Sequence, residues 1–285
     1  MVNAKAIRRA RKSVQTIGVY ALLIVIAVIT IYPFFWTVIT SFSGSGGIFK
    51  FPPPLWPTSP TLENYVYVVQ NVPLVRYIVN SVIICFFGVA GSILVATLGG
   101  YPLAKMEFPG RDFIFGAILA TLILPNEAGL IVNYITTIKL GLLKSGPGQY
   151  AAIILPSLAS TIGIFLMRQA YLAIPKELLE AARVDGASEW RIWWQIMIPL
   201  TAPTVAAFAI LQFVAFWNSF LWPIIVLTDK SYYPLASGLL DLQGQFATNT
   251  RAVASGTVIA MLPILVVFLF GQRYFMRGLE GAVKQ

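Results

Sequence analysis

The sequence predicts an all-α integral membrane protein: six transmembrane helices with a helix-turn-helix on the cytoplasmic side. Composition, segmentation and charge asymmetry point the same way. Of the 285 residues, 58% are hydrophobic and 11% charged, against ~45–50% and ~25% in ordinary soluble domains. The apolar residues fall into six long stretches separated by Gly, Pro or charged segments. Basic residues gather on alternate connections, and this fixes the side each one faces.

The first element follows a basic segment, residues 1–16, carrying Lys5, Arg8, Arg9, Arg11 and Lys12. The apolar run at about 17–40 exceeds the ~7–15 residues of a signal-peptide core and is long enough to cross a bilayer. It reads as an uncleaved span with a kink near Pro33. Residues 41–73 contain Gly44, Gly46, Gly47 and Pro52-Pro53-Pro54, which predict an extended, turn-rich outer loop, with a short helix beginning near Thr61-Leu62-Glu63. The second span is placed at about 78–98, where Gly88, Gly91 and Gly99 allow close helix approach, and Tyr101 to Asp112 reads as a polar turn. The third, about 113–131, is interrupted by Pro125-Asn126-Glu127, so it needs buried or wet surroundings there. Thr136 to Gly148 reads as an outer loop. The fourth span is placed at about 149–166, the fifth at about 203–227, an outer loop at Asp229 to Arg251, and the sixth span at about 252–274. Residues 276–285 form a short tail, so 17–275 reads as one membrane domain.

With the N-terminus inside, only Lys50, Arg76, Lys139, Lys144, Lys230 and Arg251 of the 20 basic residues lie outside. The positive-inside rule therefore places both termini in the cytoplasm.

Several chemistries are excluded. The formal charge of +9 is dispersed between apolar stretches, which fits anionic lipid headgroups and not nucleic acid. With no His and a single Cys, Cys85 inside an apolar run, there is neither a structural zinc site nor a disulfide framework. Ser/His and Cys/His catalysis are absent for the same reason, and no paired carboxylates share a predicted membrane face. The chain also lacks a G-x-x-x-x-G-K-[ST] phosphate loop. A membrane enzyme is the weaker reading, and nucleotide hydrolysis requires another chain.

The most informative stretch is the inner connection at 168–200. Lys176 to Val184 carries helix formers throughout, with Pro175 at a tolerated first position, and Asp185-Gly186 supplies a turn suited to positive φ. Ser188 then caps a second helix whose Trp190, Ile192, Trp193, Trp194, Ile196 and Met197 make it broadly apolar until Pro199 breaks it. Small residues at the turn leave backbone accessible beside Glu180, Arg183 and Asp185. On composition alone, this is an amphipathic surface helix with its Trp residues at the headgroups.

Spacing adds to that reading. Glu180-Ala181-Ala182, Asp185-Gly186-Ala187, eight residues, then Ile196-Met197-Ile198-Pro199 closely resembles the E-A-A-x-x-D-G-A…I-x-L-P loop of permease subunits in binding-protein-dependent ABC importers. The one departure is Ile198 in the Leu place. Trp217-Asn218-Ser219-Phe220-Leu221-Trp222-Pro223 also resembles the maltose-type, sugar-importing branch. The resemblance implies that Glu180, Ala181, Ala182, Asp185, Gly186, Ala187 and Pro199 belong to a coupling loop docking on an ATPase subunit. It further implies a second, homologous permease subunit, two ATPase subunits that bind ATP and Mg, an external substrate-binding protein, and a prokaryotic plasma (inner) membrane. No cofactor is expected in this chain. The implied cargo is a carbohydrate or a related polyol or osmolyte, with glycerol phosphate or a phosphodiester as alternative.

Polar residues at predicted membrane depth, Asn126, Glu127, Gln212 and Asn218, fit either a transport pathway or hydrogen bonding between helices. Glu127 and Asn218 are chosen as pathway candidates, with Trp217 as a stacking surface for a sugar ring. The same features suit a secondary transporter, which would work on an ion gradient without ATP.

Overall fold

A computed structural model describes residues 4–44, 55–57, 59–144, 146–245 and 249–283, with residues 4–13, 126, 127, 241, 243–245 and 273–283 described by their backbone alone. Helix accounts for nearly all regular structure among these residues. Pairing of extended chain is confined to one isolated bridge, Ser43 with Pro60. The chain divides into two compact units, residues 1–71 with 242–259, and residues 72–241 with 260–285.

In the first unit, α1 (Ala4–Ser41) continues through Pro33. Most of its large apolar side chains stay exposed, Val14 at 69% and Ile29 at 68%, while Ile39 near its end is buried, as expected of a helix meant to meet lipid. Its end is tied down by polar contacts. The Asn64 side-chain amide donates to the Ser41 and Ser43 carbonyls at 2.9 and 3.0 Å, and the Ser41 and Tyr65 hydroxyls lie 2.7 Å apart. Asn64 and Tyr65 belong to α2 (Glu63–Asn71), the short helix expected near Thr61. Ser255, in the first part of α14 (Thr250–Val283), also donates to the Ser41 carbonyl. The Pro52-Pro53-Pro54 run lies outside the described residues.

The second unit is built around α3 (Leu74–Lys105), which runs past the expected end near Leu98 and takes in Tyr101, Pro102 and Lys105. The polar turn expected from Tyr101 thus begins only at Met106. Gly99 and Gly100 seat this end of α3 closely against α7 (Thr161–Leu172). A Cβ on Gly100 would lie 2.9 Å from the Met167 Cβ and 3.0 Å from the Arg168 nitrogen. The reverse approach occurs at Gly163, where a Cβ would meet the Phe208 ring and Ala96. Phe208 lies on α11 (Ala202–Trp217), which packs on the same helix.

The expected third span is two separate helices, α4 (Arg111–Ala120) and α5 (Leu130–Lys139), divided by a 3₁₀ turn at Thr121–Ile123, an extended Leu124, and a second turn at Asn126–Gly129. Pro125 has no N–H to continue the ladder, so the chain restarts beyond it. The supposed loop at 136–148 is largely helical, since α5 reaches Lys139 and α6 (Gly146–Ile154) begins at Gly146. The expected fourth span is α6 and α7 bent by 56° at a short break, with the Ser160 hydroxyl accepting the Gly163 N–H to start α7 afresh. Beyond α11, α12 (Leu221–Val226) packs on α5 and α6. The connection at 229–251 contains α13 (Leu235–Gln245). Among the described residues three helices are long and apolar enough to cross a bilayer, within α1, α3 and α14, or five crossings if each bent pair counts as one.

Candidate functional site

The helix-turn-helix forms as the residues dictate. The first helix, α8 (Lys176–Val184), spans the expected residues and stops through backbone chemistry. Gly186 takes φ +80°, its N–H bonds the Arg183 carbonyl at 3.0 Å, and the Ala187 N–H reaches back to the Ala182 carbonyl at 2.9 Å. These two bonds are the paired closures of a Schellman turn, with glycine at the left-handed position. Ser188 accepts the Arg191 N–H at 3.3 Å and opens α9 (Glu189–Ile192).

The second helix differs from expectation in one respect. Pro199 does not end it: a π turn at Trp193–Met197 is followed by α10 (Ile198–Leu200), and the chain bends by 80° at Thr201, not at the proline. In the π turn the Ile198 N–H bonds the Trp193 carbonyl, five residues back. That wider spacing takes the helix past a residue that has no N–H to donate.

One face of this element is buried and the other is open. Leu179, Ile192, Trp193 and Met197 sink among Ala96, Tyr101, Ala104, Met167, Tyr171 and Phe208, which are also buried. Glu180, Ala181, Asp185 and Gly186 are exposed, while Ala182 and Ala187 are half-buried and pack toward the core. A Cβ at Gly186 would meet nothing within 4 Å, and Val184 is 87% exposed. The motif residues therefore separate into an outward edge and an inward support. Pro199 lies apart from both, at the far end of the second helix.

Side chains outside the motif hold the element in place. Arg183 donates to Glu189 across the turn at 2.7 Å, and this carboxylate holds the guanidinium pKa above its ordinary value. The Tyr101 hydroxyl donates to the other Glu189 oxygen, Lys105 donates to the Ile174 carbonyl, and Arg168 donates to the Leu103 carbonyl at 3.1 Å. An open cleft of about 430 Å³ lies beside these anchors, lined by Lys105, Lys176, Arg183, Glu107, Glu180 and Glu189 among others. Sequence reasoning missed Tyr101 and Lys105 as supports because it ended the α3 helix too early. Arg168 and Lys105 entered it only as inner cations.

The pathway candidates are placed less uniformly. Asn218 is exposed and terminates α11, its N–H closing on the Val214 and Phe216 carbonyls. Trp217 is only 3% exposed. Its ring stacks on Phe213 and its indole donates to the Ala260 carbonyl at 3.0 Å, so in this conformation it serves helix packing and offers no open face to a sugar. Glu127 lies in the 3₁₀ turn between α4 and α5, and its side chain lies outside the described residues. Gln212 donates to the Ser92 hydroxyl at 2.9 Å, the interhelical role that was one of its two readings. Among the described residues no group of three His, Cys, Asp or Glu side chains is placed to hold a metal.

Comparison with known proteins agrees with this architecture. Residues 56–281 match the profile of a family described as the inner membrane component of binding-protein-dependent transport systems. The chain is 37% identical to the arabinooligosaccharides transport system permease protein AraQ of Halalkalibacterium halodurans, over 91% of this chain and 93% of that one. It is 34% identical to the lactose transport system permease protein LacG of Rhizobium radiobacter, over 96% and 98%. It is also 30% identical to the sn-glycerol-3-phosphate transport system permease protein UgpE of Yersinia pestis, over 93% and 96%. Its fold is shared with a chain from the crystal structure of a bacterial ABC transporter involved in the import of the polysaccharide alginate, at a TM-score of 0.80 and 24% identity, covering 93% of this chain and 98% of that one. The chain belongs to the family of inner membrane components of binding-protein-dependent transport systems.

Proposed function

We propose that this chain is a membrane-spanning subunit of an ABC importer that, with a second, homologous permease, forms the translocation path for a carbohydrate or a related polyol or osmolyte. The observation that carries the proposal is the Schellman turn at Gly186, which presents Glu180, Ala181, Asp185 and Gly186 outward from a buried base. This edge is the docking element for the ATPase, where closure of two ATPase subunits around ATP and Mg moves the loop and alternates access. The chain takes part in transport and leaves hydrolysis to those partners. An external substrate-binding protein delivers the cargo. Six spans, both termini in the cytoplasm and a place in the prokaryotic plasma (inner) membrane complete the reading.

A carbohydrate is favoured over glycerol phosphate because the permeases named for arabinooligosaccharides and lactose are more similar to this chain than the one named for sn-glycerol 3-phosphate. The test is reconstitution of the copurified complex in vesicles with its binding protein, followed by ATPase and uptake measurements over a carbohydrate panel that includes sn-glycerol 3-phosphate. ATP-dependent uptake of a sugar is the expected result. Uptake driven by an ion gradient without ATP would establish a secondary transporter instead.

A further inference from the structure

The last turns of α3 make polar contacts on both sides of the turn at Gly186, to α7 and the residues before α8 and to the start of α9. Tyr101 donates to Glu189, which Arg183 also holds across that turn. Two residues on, the Leu103 carbonyl accepts from Arg168 of α7. Another two residues on, Lys105 donates at 2.5 Å to the Ile174 carbonyl, just before Pro175 and α8. The α3 and α7 ends thus exchange cations: Arg168 reaches a carbonyl in the closing turn of α3, and Lys105 reaches one immediately beyond α7. Both carbonyls lie where a helix leaves its acceptors unused and its dipole negative, so each cation meets hydrogen-bonding need and charge together. Arg168 is further fixed by Phe115, whose ring centroid lies 4.0 Å from the guanidinium carbon, and by Asp112 at 3.7 Å.

We propose that Tyr101 and Lys105 are positioning residues that mount the helix-turn-helix on α3, so that force applied at the Gly186 edge moves α3 with it. This rests on the reading of that edge as an ATPase-docking element. The residues that would touch the ATPase and those that transmit the motion are then different sets. Tyr101 is 4% exposed and sits behind the outward edge. Its hydroxyl and the Lys105 ammonium hold the loop at two separated points, at the start of α9 and before α8. Two such points on one rigid helical turn resist rotation of the loop, whereas the apolar packing beneath it is non-directional.

The experiment uses the whole complex in proteoliposomes and measures sugar transported per ATP hydrolysed. Tyr101→Phe with Lys105→Met keeps the apolar bulk and removes both polar links. We expect normal abundance, normal ATPase copurification and at least half the wild-type hydrolysis, with the transport-to-hydrolysis ratio reduced about tenfold. Lys105→Arg alone should retain most of the ratio, because a guanidinium can still donate to the Ile174 carbonyl. A ratio within twofold of wild type in the double variant overturns the mount. So does a fall in transport matched by an equal fall in hydrolysis or copurification, which would make the two residues merely structural. The reading beneath the proposal fails separately: a wild-type complex with no associated ATPase would refute the docking element before any variant is compared.

Discussion

Gly186 concentrates two separate demands at one residue. Its φ of +80° favours a residue without a Cβ, while a Cβ there would meet nothing within 4 Å among the described residues. Two substitutions separate the demands. Gly186→Val imposes left-handed strain on a β-branched residue, on the order of 1–3 kcal/mol, and should loosen the turn as well as the docking edge. Gly186→Asn is tolerated in the same conformation, so it should leave the turn folded while placing bulk where a partner approaches. Both variants should insert normally and lose ATPase copurification and uptake, with faster amide exchange around residues 183–191 in the Val variant alone. Wild-type uptake in both, at normal abundance, would remove the docking role. Charge at the same edge offers an independent test. Glu180→Lys should weaken copurification, and raising the ionic strength should reduce the difference from wild type, because an exposed charge is screened. In the pathway, Asn218→Ala and Glu127→Gln should alter substrate-stimulated hydrolysis without changing assembly. If transport and selectivity stay at wild type in both, the two residues serve structure alone.

At the scale of the element, the turn was legible because its signals are local. Gly after Asp185, Ser before Glu189 and an unbroken run of helix formers from Lys176 to Val184 each act within a few residues, and α8 begins and ends where they place it. What depends on distant chain was not legible. The continuation of α3 through Pro102 comes with close seating against Met167 and Arg168, and no local signal carries that. The passage of the second helix through Pro199 depends on a π turn whose apolar side chains pack on Met167, Tyr171 and Phe208. The surroundings of Trp217 were hidden for the same reason. An aromatic residue beside a helix end suits a sugar platform or a packing ring equally well, and of its partners Phe213 and Ala260 the second comes from a place no local signal points to. The cap at Ser188 gives this scale its own prediction. Ser188→Ala removes the acceptor for the Arg191 N–H and should destabilise the start of α9 by about 1 kcal/mol. Ser188→Asp should restore it. Proteolytic susceptibility between α8 and α9 is the readout, and equal susceptibility in the Ala variant and the wild type would show that the Tyr101 and Arg183 links to Glu189 hold that end without the cap.

For the molecule as a whole, topology is the consequence on which the functional reading depends, because an ATPase can reach the Gly186 edge only if that edge faces the cytoplasm. The proposed arrangement follows from the basic residues at 1–16 and 168–200 and from the six apolar stretches, of which, among the described residues, α1, α3 and α14 are the long single helices. The broken pairs make an experimental answer necessary, since a bent pair can either cross the bilayer or return to the side it came from. The sole cysteine simplifies the measurement: Cys85 is buried and can be replaced by Ala before single reporters are introduced. Trp56→Cys and Lys230→Cys, both at exposed positions, should react with a membrane-impermeant maleimide from outside intact cells. Gly110→Cys and Asp185→Cys, also exposed, should react only once the cytoplasmic face is opened. Gly110 and Asp185 bracket the stretch from α4 to α7, which holds the break at 121–129 and the bend between α6 and α7, while the bend at Thr201 lies beyond it. Labelling of Asp185→Cys from outside would place the helix-turn-helix on the wrong face for an ATPase and overturn the transport mechanism with it. Outside labelling of Gly110→Cys, with Asp185→Cys still protected, would instead require an odd number of crossings between α4 and α8, so that either the stretch broken at 121–129 or the bent α6–α7 pair would be a re-entrant loop.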